Sequence, residues 1–216
     1  MTIDTAMAGL QTLDLDAIRS ATMSTDPYPH FLGSGFLKED AIADLRRDFP
    51  RITKPGFLTV DETELKGRFR TLVEELEGRE LTEELSRKFG LDLHPFPRLT
   101  TIRRLSQAKD GRPHTDGDAK VMTILVYMND EWQENGAGRL RVLRGPDDFE
   151  DMVLEVPPTM GNVFGFLRRD NSWHGHMPFT GERRVVQVAW LRDVKELERK
   201  KKRNAFSQVL KGIFGR

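Results

Sequence analysis

The part of the chain after residue 98 consists of short apolar segments separated by turn residues, and this pattern restricts the fold more than any other feature. The segments are four to eight residues long and rich in Val, Ile, Leu and Phe, with Gly- or Pro-containing turns between most of them. Many short strands at this rhythm are typical of a β-sandwich or jelly roll. The predicted strands are Arg98–Leu105, Val121–Met128, Leu140–Leu143, Val153–Val156, Asn162–Leu167 and Val185–Leu191.

The part before residue 98 has helical periodicity instead. Apolar residues at helical spacing predict a helix from Phe36 to Phe49, which Pro50 ends. Residues 69–89 predict further helix, which Gly78 would split, and residues 10–18 hint at a short helix. Helices followed by strands indicate a mainly β fold with α, in which the helices pack on one face of the sandwich.

Composition excludes several classes of protein. A length of 216 residues with 38% hydrophobic residues is suited to one domain with tails. The zero formal net charge gives no reason to expect a nucleic-acid partner. The absence of cysteine excludes disulfides, cysteine-ligated zinc and iron–sulfur sites. There is no apolar run long enough to span a membrane and no basic segment typical of a secretory signal before Leu10, so we expect a cytoplasmic protein.

The charge is concentrated at the C-terminal end. Residues 195–216 contain eight basic and two acidic side chains, and the apolar residues from Phe206 to Phe214 recur at helical spacing. This basic amphipathic helix could dock on its own domain or on a second copy of the chain, or bind a membrane surface or another protein. We therefore divide the chain into an N-terminal extension (1–26), a domain (27–193, with its β core at 98–193) and a basic tail (194–216).

A histidine and an aspartate two residues apart form the clearest functional signal. In an extended segment the side chains of His114 and Asp116 point the same way, since strand residues alternate between faces. His174 follows 58 residues after Asp116, and Arg183 comes nine residues later. Two histidines and one carboxylate are the facial triad that holds non-haem Fe(II) and leaves coordination positions open. The arginine supplies a planar fork for a carboxylate.

Two positions in this constellation have neighbours that could replace them. His176 shares a strand face with His174, and Arg184 is adjacent to Arg183. The nine-residue gap between His174 and Arg183, with Pro178 four residues after His174, matches the spacing of a family that the chain resembles, and that resemblance favours the first member of each pair. Strand alternation allows only one of the two arginines to point inward.

The order of these motifs resembles that of the Fe(II)- and 2-oxoglutarate-dependent dioxygenases of the prolyl 4-hydroxylase-like type. The resemblance extends over residues 27–193 and includes the opening segment Pro29–Leu37. The resemblance implies a double-stranded β-helix, the jelly-roll core shared with cupins, with N-terminal helices on one face and a C-terminal basic helix. The matching segments are His114–Asp116, Thr123–Asn129 running to Trp132, Gly138–Val142, Gly161–Phe164, and the series His174, Pro178, Gly181 and Arg183.

The resemblance also implies the roles of individual residues. His114, Asp116 and His174 would ligate Fe(II) as the catalytic centre, and Arg183 would bind the distal carboxylate of 2-oxoglutarate. Tyr127 would either bind the same carboxylate or be an ordinary strand aromatic. Thr123 lies on the same strand face and would line the same pocket.

The implied reaction is hydroxylation by O2 with release of succinate and CO2, and ascorbate is a candidate further cofactor. We expect a small-molecule or peptidyl substrate, with a peptidyl or amino-acid carbon favoured. A sugar or glycan-linked metabolite, a non-catalytic jelly-roll binding or sensor protein and a metal-dependent cupin isomerase are the alternatives.

Other polar residues are weaker candidates. Gln187 follows Arg183 on its strand face and is either a substrate contact or a polar residue bonded to water. One of Arg103 and Arg104 should face the pocket. His30 and His94 lie outside the constellation. Residues 168–170 form a charged loop that either binds an acidic substrate or is a solvated turn.

Overall fold

The computed structural model describes residues 10–132, 136–199 and 202. Four helices precede the main β region, and a 3-10 helix, Val60–Glu62, lies between the second and third of them. Gly78 stands between the third and fourth helices, as the sequence predicted. The helices are α1 (Asp16–Ser20), α2 (Glu39–Asp48), α3 (Gly67–Leu76) and α4 (Arg79–Phe89).

Every strand predicted from the sequence is present, and shorter strands accompany them. The predicted strand Val185–Leu191 begins four residues earlier, at Gly181, and so contains Arg183. The strands are β1 (Met23–Ser24), β2 (His30–Gly33), β3 (Leu58–Thr59), β4 (Arg98–Ser106), β5 (Lys120–Tyr127), β6 (Leu140–Leu143), β7 (Met152–Val156), β8 (Val163–Leu167), β9 (His174–His176) and β10 (Gly181–Leu191).

The strands form two antiparallel sheets. The major sheet has the order β1-β2-β8-β5-β10-β4-β3, and the minor sheet has the order β7-β6-β9. A bridge pair between His114 and His174 extends the minor sheet beyond β9. Two antiparallel sheets with this topology form the double-stranded β-helix, so the predicted jelly-roll fold is confirmed.

The two faces of the major sheet have different roles. Met122, Ile124 and Val126 of β5 belong to the main core, in which the helices cover the outer face of the sheet. Leu125 and Tyr127 alternate with them and belong to a second core between the sheets. Because successive strand residues point to opposite faces, the inner face can carry a site while the outer face is fully packed.

The segment before α2 is part of the main core. Leu13 and Ile18 are buried there, and Leu13 pairs with Leu37 in an isolated bridge. That bridge and the hydrogen bond from Phe36 N to Gly161 O keep this stretch extended. The predicted helix over Phe36–Phe49 therefore begins only at Glu39. The division of the chain at residue 26 stays a prediction.

Most of the predicted basic tail lies outside the described residues. Residues 194–199 are helical, but the apolar stripe from Phe206 to Phe214 and its proposed docking surface are not described. Among the residues that are described, no helix has both the length and the apolarity needed to cross a membrane.

Candidate metal centre

His114, Asp116 and His174 come together at the open end of the barrel. One ligand atom of each lies within 4.8 Å of one ligand atom of each of the others. The backbones of His114 and His174 are joined by two hydrogen bonds of 3.0 Å, which fix the spacing of the two rings. Asp116 and His174 are buried and His114 is exposed, so the cluster opens to solvent on one side.

The two histidines of this triad hold their rings in the form that a metal requires. The Nδ1 of His114 lies 2.8 Å from the carbonyl of Arg112, and the Nδ1 of His174 lies 2.9 Å from the carbonyl of Ser172. A carbonyl only accepts, so Nδ1 carries the proton and Nε2 keeps a free lone pair for a metal. Burial, with repulsion from His114, lowers the pKa of His174 to about 4, which keeps its ring neutral.

Two donors fix the carboxylate of Asp116. The hydroxyl of Thr123 donates to Oδ2 at 2.6 Å, and the ammonium of Lys120 lies 2.6 Å from Oδ1. Burial alone would raise the pKa of Asp116, but the charges of Lys120 and His174 and these hydrogen bonds outweigh it and hold the pKa below its ordinary value. The carboxylate is therefore ionised and oriented, as a hard oxygen ligand must be.

The structure differs from the expected local geometry at Asp116. The His-x-Asp segment is not a regular strand, because only His114 makes a bridge pair and Asp116 lies in the loop that follows. Its orientation comes from Thr123 and Lys120 instead. Lys120 was missed in the sequence, although its position four residues after Asp116 at the start of an apolar strand was visible.

Arg183 and Tyr127 lie deeper in the barrel. The Nε of Arg183 donates to the carbonyl of Gly138 at 2.7 Å, and its guanidinium carbon lies 5.3 Å from the centre of the Tyr127 ring. Both side chains are buried. Among the described residues, neither the Nη2 of Arg183 nor the hydroxyl of Tyr127 has a hydrogen-bond partner of good geometry. Burial raises the pKa of Tyr127, with the Arg183 charge opposing, so the hydroxyl keeps its proton.

These unpaired buried donors suit an anionic ligand. Buried polar groups in proteins are almost always hydrogen-bonded, so unpaired donors indicate a missing partner. A carboxylate offers only acceptor atoms and can take both a guanidinium and a phenol. The donor set therefore fits the distal carboxylate of a 2-oxo acid whose other end reaches the triad.

The alternative residues lie elsewhere. His176 is outside the triad, and its Nδ1 lies 2.9 Å from the carbonyl of Met177. Arg184 faces outward, where it forms an ion pair with Glu182 and its guanidinium carbon lies 5.2 Å from the centre of the Phe49 ring. A β-bulge between Glu182 and Val185 separates the directions of the two arginines. The geometry thus favours His174 and Arg183.

A cavity of about 390 Å³ lies beside the triad. Gln187, Phe57 and Thr101 line it together with His114 and Asp116. Gln187 therefore lies where a substrate would meet the metal centre, although its amide is also 3.5 Å from the Thr101 hydroxyl.

The remaining candidates have mostly structural contacts. Of the two neighbouring arginines, Arg103 faces inward, whereas Arg104 pairs with Glu182 at 2.8 Å. Arg168 donates to the backbone carbonyl of Asp116 at 3.2 Å and so supports the loop that carries it. His30 is buried with its Nδ1 2.8 Å from a backbone carbonyl.

Comparison with known proteins agrees with the geometry. Residues 101–192 match the sequence model of the 2OG-Fe(II) oxygenase superfamily. No curated protein matches the chain. A prolyl 4-hydroxylase structure from Pseudomonas putida is similar with a TM-score of 0.54 and 18% identity, covering 83% of this chain and 97% of that one.

Prolyl 4-hydroxylases from Phytophthora capsici give a TM-score of 0.57 and 16% identity, covering 84% of this chain and 63% of that one. At such low identity these likenesses establish the fold alone. Residues 101–192 are a 2OG-Fe(II) oxygenase domain, and the fold around them is that of the prolyl 4-hydroxylases.

Proposed function

We propose that this 2-oxoglutarate-dependent dioxygenase uses His114, Asp116 and His174 to hold Fe(II) and hydroxylates a peptidyl or amino-acid carbon. The observation that carries the assignment of ligands is the triad itself. One ligand atom of each histidine and one of the ionised carboxylate lie within 4.8 Å of one another. The Nδ1 atoms of both histidines are held by backbone carbonyls, which leaves the Nε2 atoms for a metal. Arg183 and Tyr127 bind the distal carboxylate of 2-oxoglutarate in this proposal.

With Fe(II) bound, the metal centre supplies oxidation by O2 that is coupled to decarboxylation of 2-oxoglutarate to succinate and CO2. The protein supplies position and surroundings. Thr123 and Lys120 keep Asp116 oriented, and the backbone pair between His114 and His174 keeps the two rings together. Arg183 fixes the far end of the cosubstrate. The apolar residues of the inner core, such as Phe164 and Val185, exclude water from the buried side of the site.

The access to the site supports a peptidyl substrate. The cavity beside the triad opens to solvent along the exposed His114, and it is lined by the ring of Phe57 and the amide of Gln187. An apolar ring and a side-chain amide can bind a ring or aliphatic side chain and a peptide group, respectively. The structures of similar fold are named as prolyl 4-hydroxylases, which favours a prolyl-type carbon over a sugar. Ascorbate stays a prediction.

The first test is an anaerobic titration of the metal-free protein with Fe(II) and 2-oxoglutarate, which detects the weak visible charge-transfer band of the chelate. We expect the band in the wild-type protein and in His176→Ala, and its loss in His174→Ala. Absence of the band in iron-loaded wild-type protein would favour the non-catalytic binding protein instead.

The second test concerns the substrate. Succinate release is measured with proline-containing peptides, free amino acids and sugars, and Asp116→Ala serves as the inactive control. Peptide-dependent succinate with a mass gain of one oxygen atom on the peptide supports the proposal. Stimulation by sugars alone would contradict it.

A further inference from the structure

Arg103 is a buried guanidinium whose donors are poorly satisfied. Its side chain is only 12% exposed and stacks on the ring of Phe57, with 4.2 Å from the guanidinium carbon to the ring centre. Its polar contacts are long, at 3.4 Å from Nη1 to the Ser106 hydroxyl and 3.7 Å from Nη1 to Asp110. Its buried Nε has no hydrogen-bond partner among the described residues.

The neighbouring arginine shows what a structural role requires. Arg104 holds Glu182 through two nitrogens, at 3.1 and 2.8 Å, and also donates to the carbonyl of Ile52. It lies on the outer face of the same strand, where it is more exposed than Arg103. Arg103 is more buried than Arg104 and has fewer hydrogen-bond partners. Because unpaired buried donors are costly, this difference indicates that an acceptor for Arg103 is missing.

Arg103 lies at the same depth in the barrel as the cosubstrate end of the pocket. Val185 pairs with Arg103 on one side and with Tyr127 on the other, so these three residues form one row across the major sheet. Arg183 reaches this row from the bulge that precedes Val185. Arg103 and Arg183 are close enough for the charge of Arg183 to help lower the pKa of Arg103 to about 10, after the larger effect of burial.

The positive charge at this depth of the barrel is only partly neutralised, so an anion can bind there. Arg103 is only loosely paired with the carboxylate of Asp110, at 3.7 Å from its Nη1. His176, on the facing sheet, adds no further donor, because its Nδ1 donates to the carbonyl of Met177 and its neutral Nε2 can only accept. His176 is therefore suited to contact a guanidinium rather than the anion itself.

We propose that Arg103 and Arg183 together bind one carboxylate, the distal carboxylate of 2-oxoglutarate, as a two-guanidinium site completed by the hydroxyl of Tyr127. This inference rests on the proposed function of the same pocket. A carboxylate has about four acceptor positions. The unpaired donors on Arg103, Arg183 and Tyr127 occupy three of them. The second arginine strengthens selection for a dicarboxylic over a monocarboxylic 2-oxo acid.

The test compares two cosubstrates that differ only at the distal end. Dissociation constants for 2-oxoglutarate and for 2-oxopentanoate, whose distal group is a methyl, are measured by calorimetry on the Mn(II)-loaded protein, in which no turnover interferes. The variants are Arg103→Met, Arg103→Lys and Arg183→Met, with Arg104→Met as the matched control. We expect Arg103→Met to weaken 2-oxoglutarate binding about tenfold or more and to leave 2-oxopentanoate binding unchanged.

Arg103→Lys keeps the charge without the fork, so an intermediate loss is expected from it, and it remains informative if Arg103→Met fails to fold. Equal weakening of both ligands in Arg103→Met would place Arg103 at the 2-oxo end and overturn the proposal. Unchanged 2-oxoglutarate binding in Arg103→Met would also overturn the proposal if Arg183→Met loses the preference for 2-oxoglutarate over 2-oxopentanoate. That result would leave the proposed function intact. A wild-type protein that does not distinguish the two ligands would instead contradict the proposed function.

Discussion

Thr123 illustrates how a single side chain connects the sheet to the metal centre. The sequence placed it in the cosubstrate pocket, because it shares a strand face with Tyr127. The structure shows its hydroxyl donating to Asp116 at 2.6 Å, so its clearest action is on the carboxylate of the triad. A contact with the cosubstrate stays a prediction.

Replacement of Thr123 by Val should weaken metal binding. The substitution keeps the shape of the side chain and removes the donor that orients Asp116, and loss of such outer partners typically costs about 10–100-fold in metal affinity. Mn(II) binding measured by electron paramagnetic resonance gives the affinity. Thr100→Val is the control, since Thr100 is equally buried but its hydroxyl makes no hydrogen bond among the described residues. Equal affinities in the two variants would show that Thr123 has no such role.

The sequence predicted the three residues that cluster at the candidate metal centre, but not the contacts that orient them. The spacing from His114 to Asp116 and from His174 to Arg183 is local information. Lys120, Arg112 and Ser172 act on the triad through one side chain and two carbonyls. The two carbonyl contacts depend on how a loop closes after folding, and no pattern of residue types specifies them; only the position of Lys120, four residues after Asp116, was visible in the sequence.

At the level of elements, the site depends on the close approach of β9 to the loop before His114. A Cβ at Gly175 would lie 2.6 Å from the carbonyl oxygen of Gly111 and 3.1 Å from Pro113. Since both neighbours are backbone, the loop would have to move. Only glycine therefore allows the two triad histidines to be joined backbone to backbone.

We predict that Gly175→Ala displaces this loop. The expected loss of stability is about 1–3 kcal/mol, as for other overpacked sites. Metal affinity should fall as well, because the pairing of His114 with His174 is disturbed. Urea unfolding and Mn(II) binding measure the two effects. Gly145→Ala is the control, since a Cβ there meets nothing within 4 Å. Wild-type metal affinity in Gly175→Ala would contradict the argument.

A second element-level feature is the attachment of the N-terminal segment to α3. The carboxylate of Glu75 accepts hydrogen bonds from Thr12 N at 2.9 Å, Thr12 Oγ1 at 2.5 Å and Leu13 N at 3.1 Å. These bonds hold Leu13 in the main core. One glutamate thus accepts from the backbone donors of this segment that its bridge with Leu37 leaves free.

Glu75→Ala should destabilise the protein by about 1–3 kcal/mol, since it leaves buried donors of Thr12 and Leu13 unpaired. The free energy of unfolding in urea measures the effect. Glu74→Ala is a suitable control, because Glu74 is the exposed neighbour on the same helix. Equal stability of the two variants would show that Glu75 does not anchor the segment.

The elements themselves were largely predictable, whereas their partners were not. Periodicity found α2 to α4 and the longer strands, because those segments repeat their burial pattern over many residues. The short strands β1 and β3 carry too few residues for any period to be seen. The packing of residues 10–18 into the core involves Glu75, more than 60 residues away, and such contacts are invisible in local sequence.

For the molecule as a whole, the alternation of strand residues places the packed core and the candidate site on opposite faces of the major sheet. The helices cover one face of the major sheet, and the inner face carries the candidate metal triad at its open end and two arginines deeper in the barrel. The inner face therefore contains buried polar groups that the outer face avoids. Because folding removes these groups from water, their ionisation changes the free energy of unfolding of the whole protein.

This coupling predicts a pH dependence of stability. Burial lowers the pKa of His174 and of His176 to about 4 in the folded protein, against 6.5 ordinarily. Between these values the unfolded chain binds protons that the folded protein does not, so stability rises with pH and is lost as the pH falls from about 6.5 to about 4.

His176→Leu should remove one of these contributions and reduce the slope of unfolding free energy against pH in this interval, while those of His174 and of His30, whose pKa is also lowered by burial, remain. Urea unfolding of the metal-free protein at several pH values measures the slope, and chelator excludes any contribution from bound metal. His94→Leu is the matched control, because His94 lies on the surface beside Asp92. A His176→Leu protein with the wild-type slope would show that the imidazole of His176 is not held neutral by the fold.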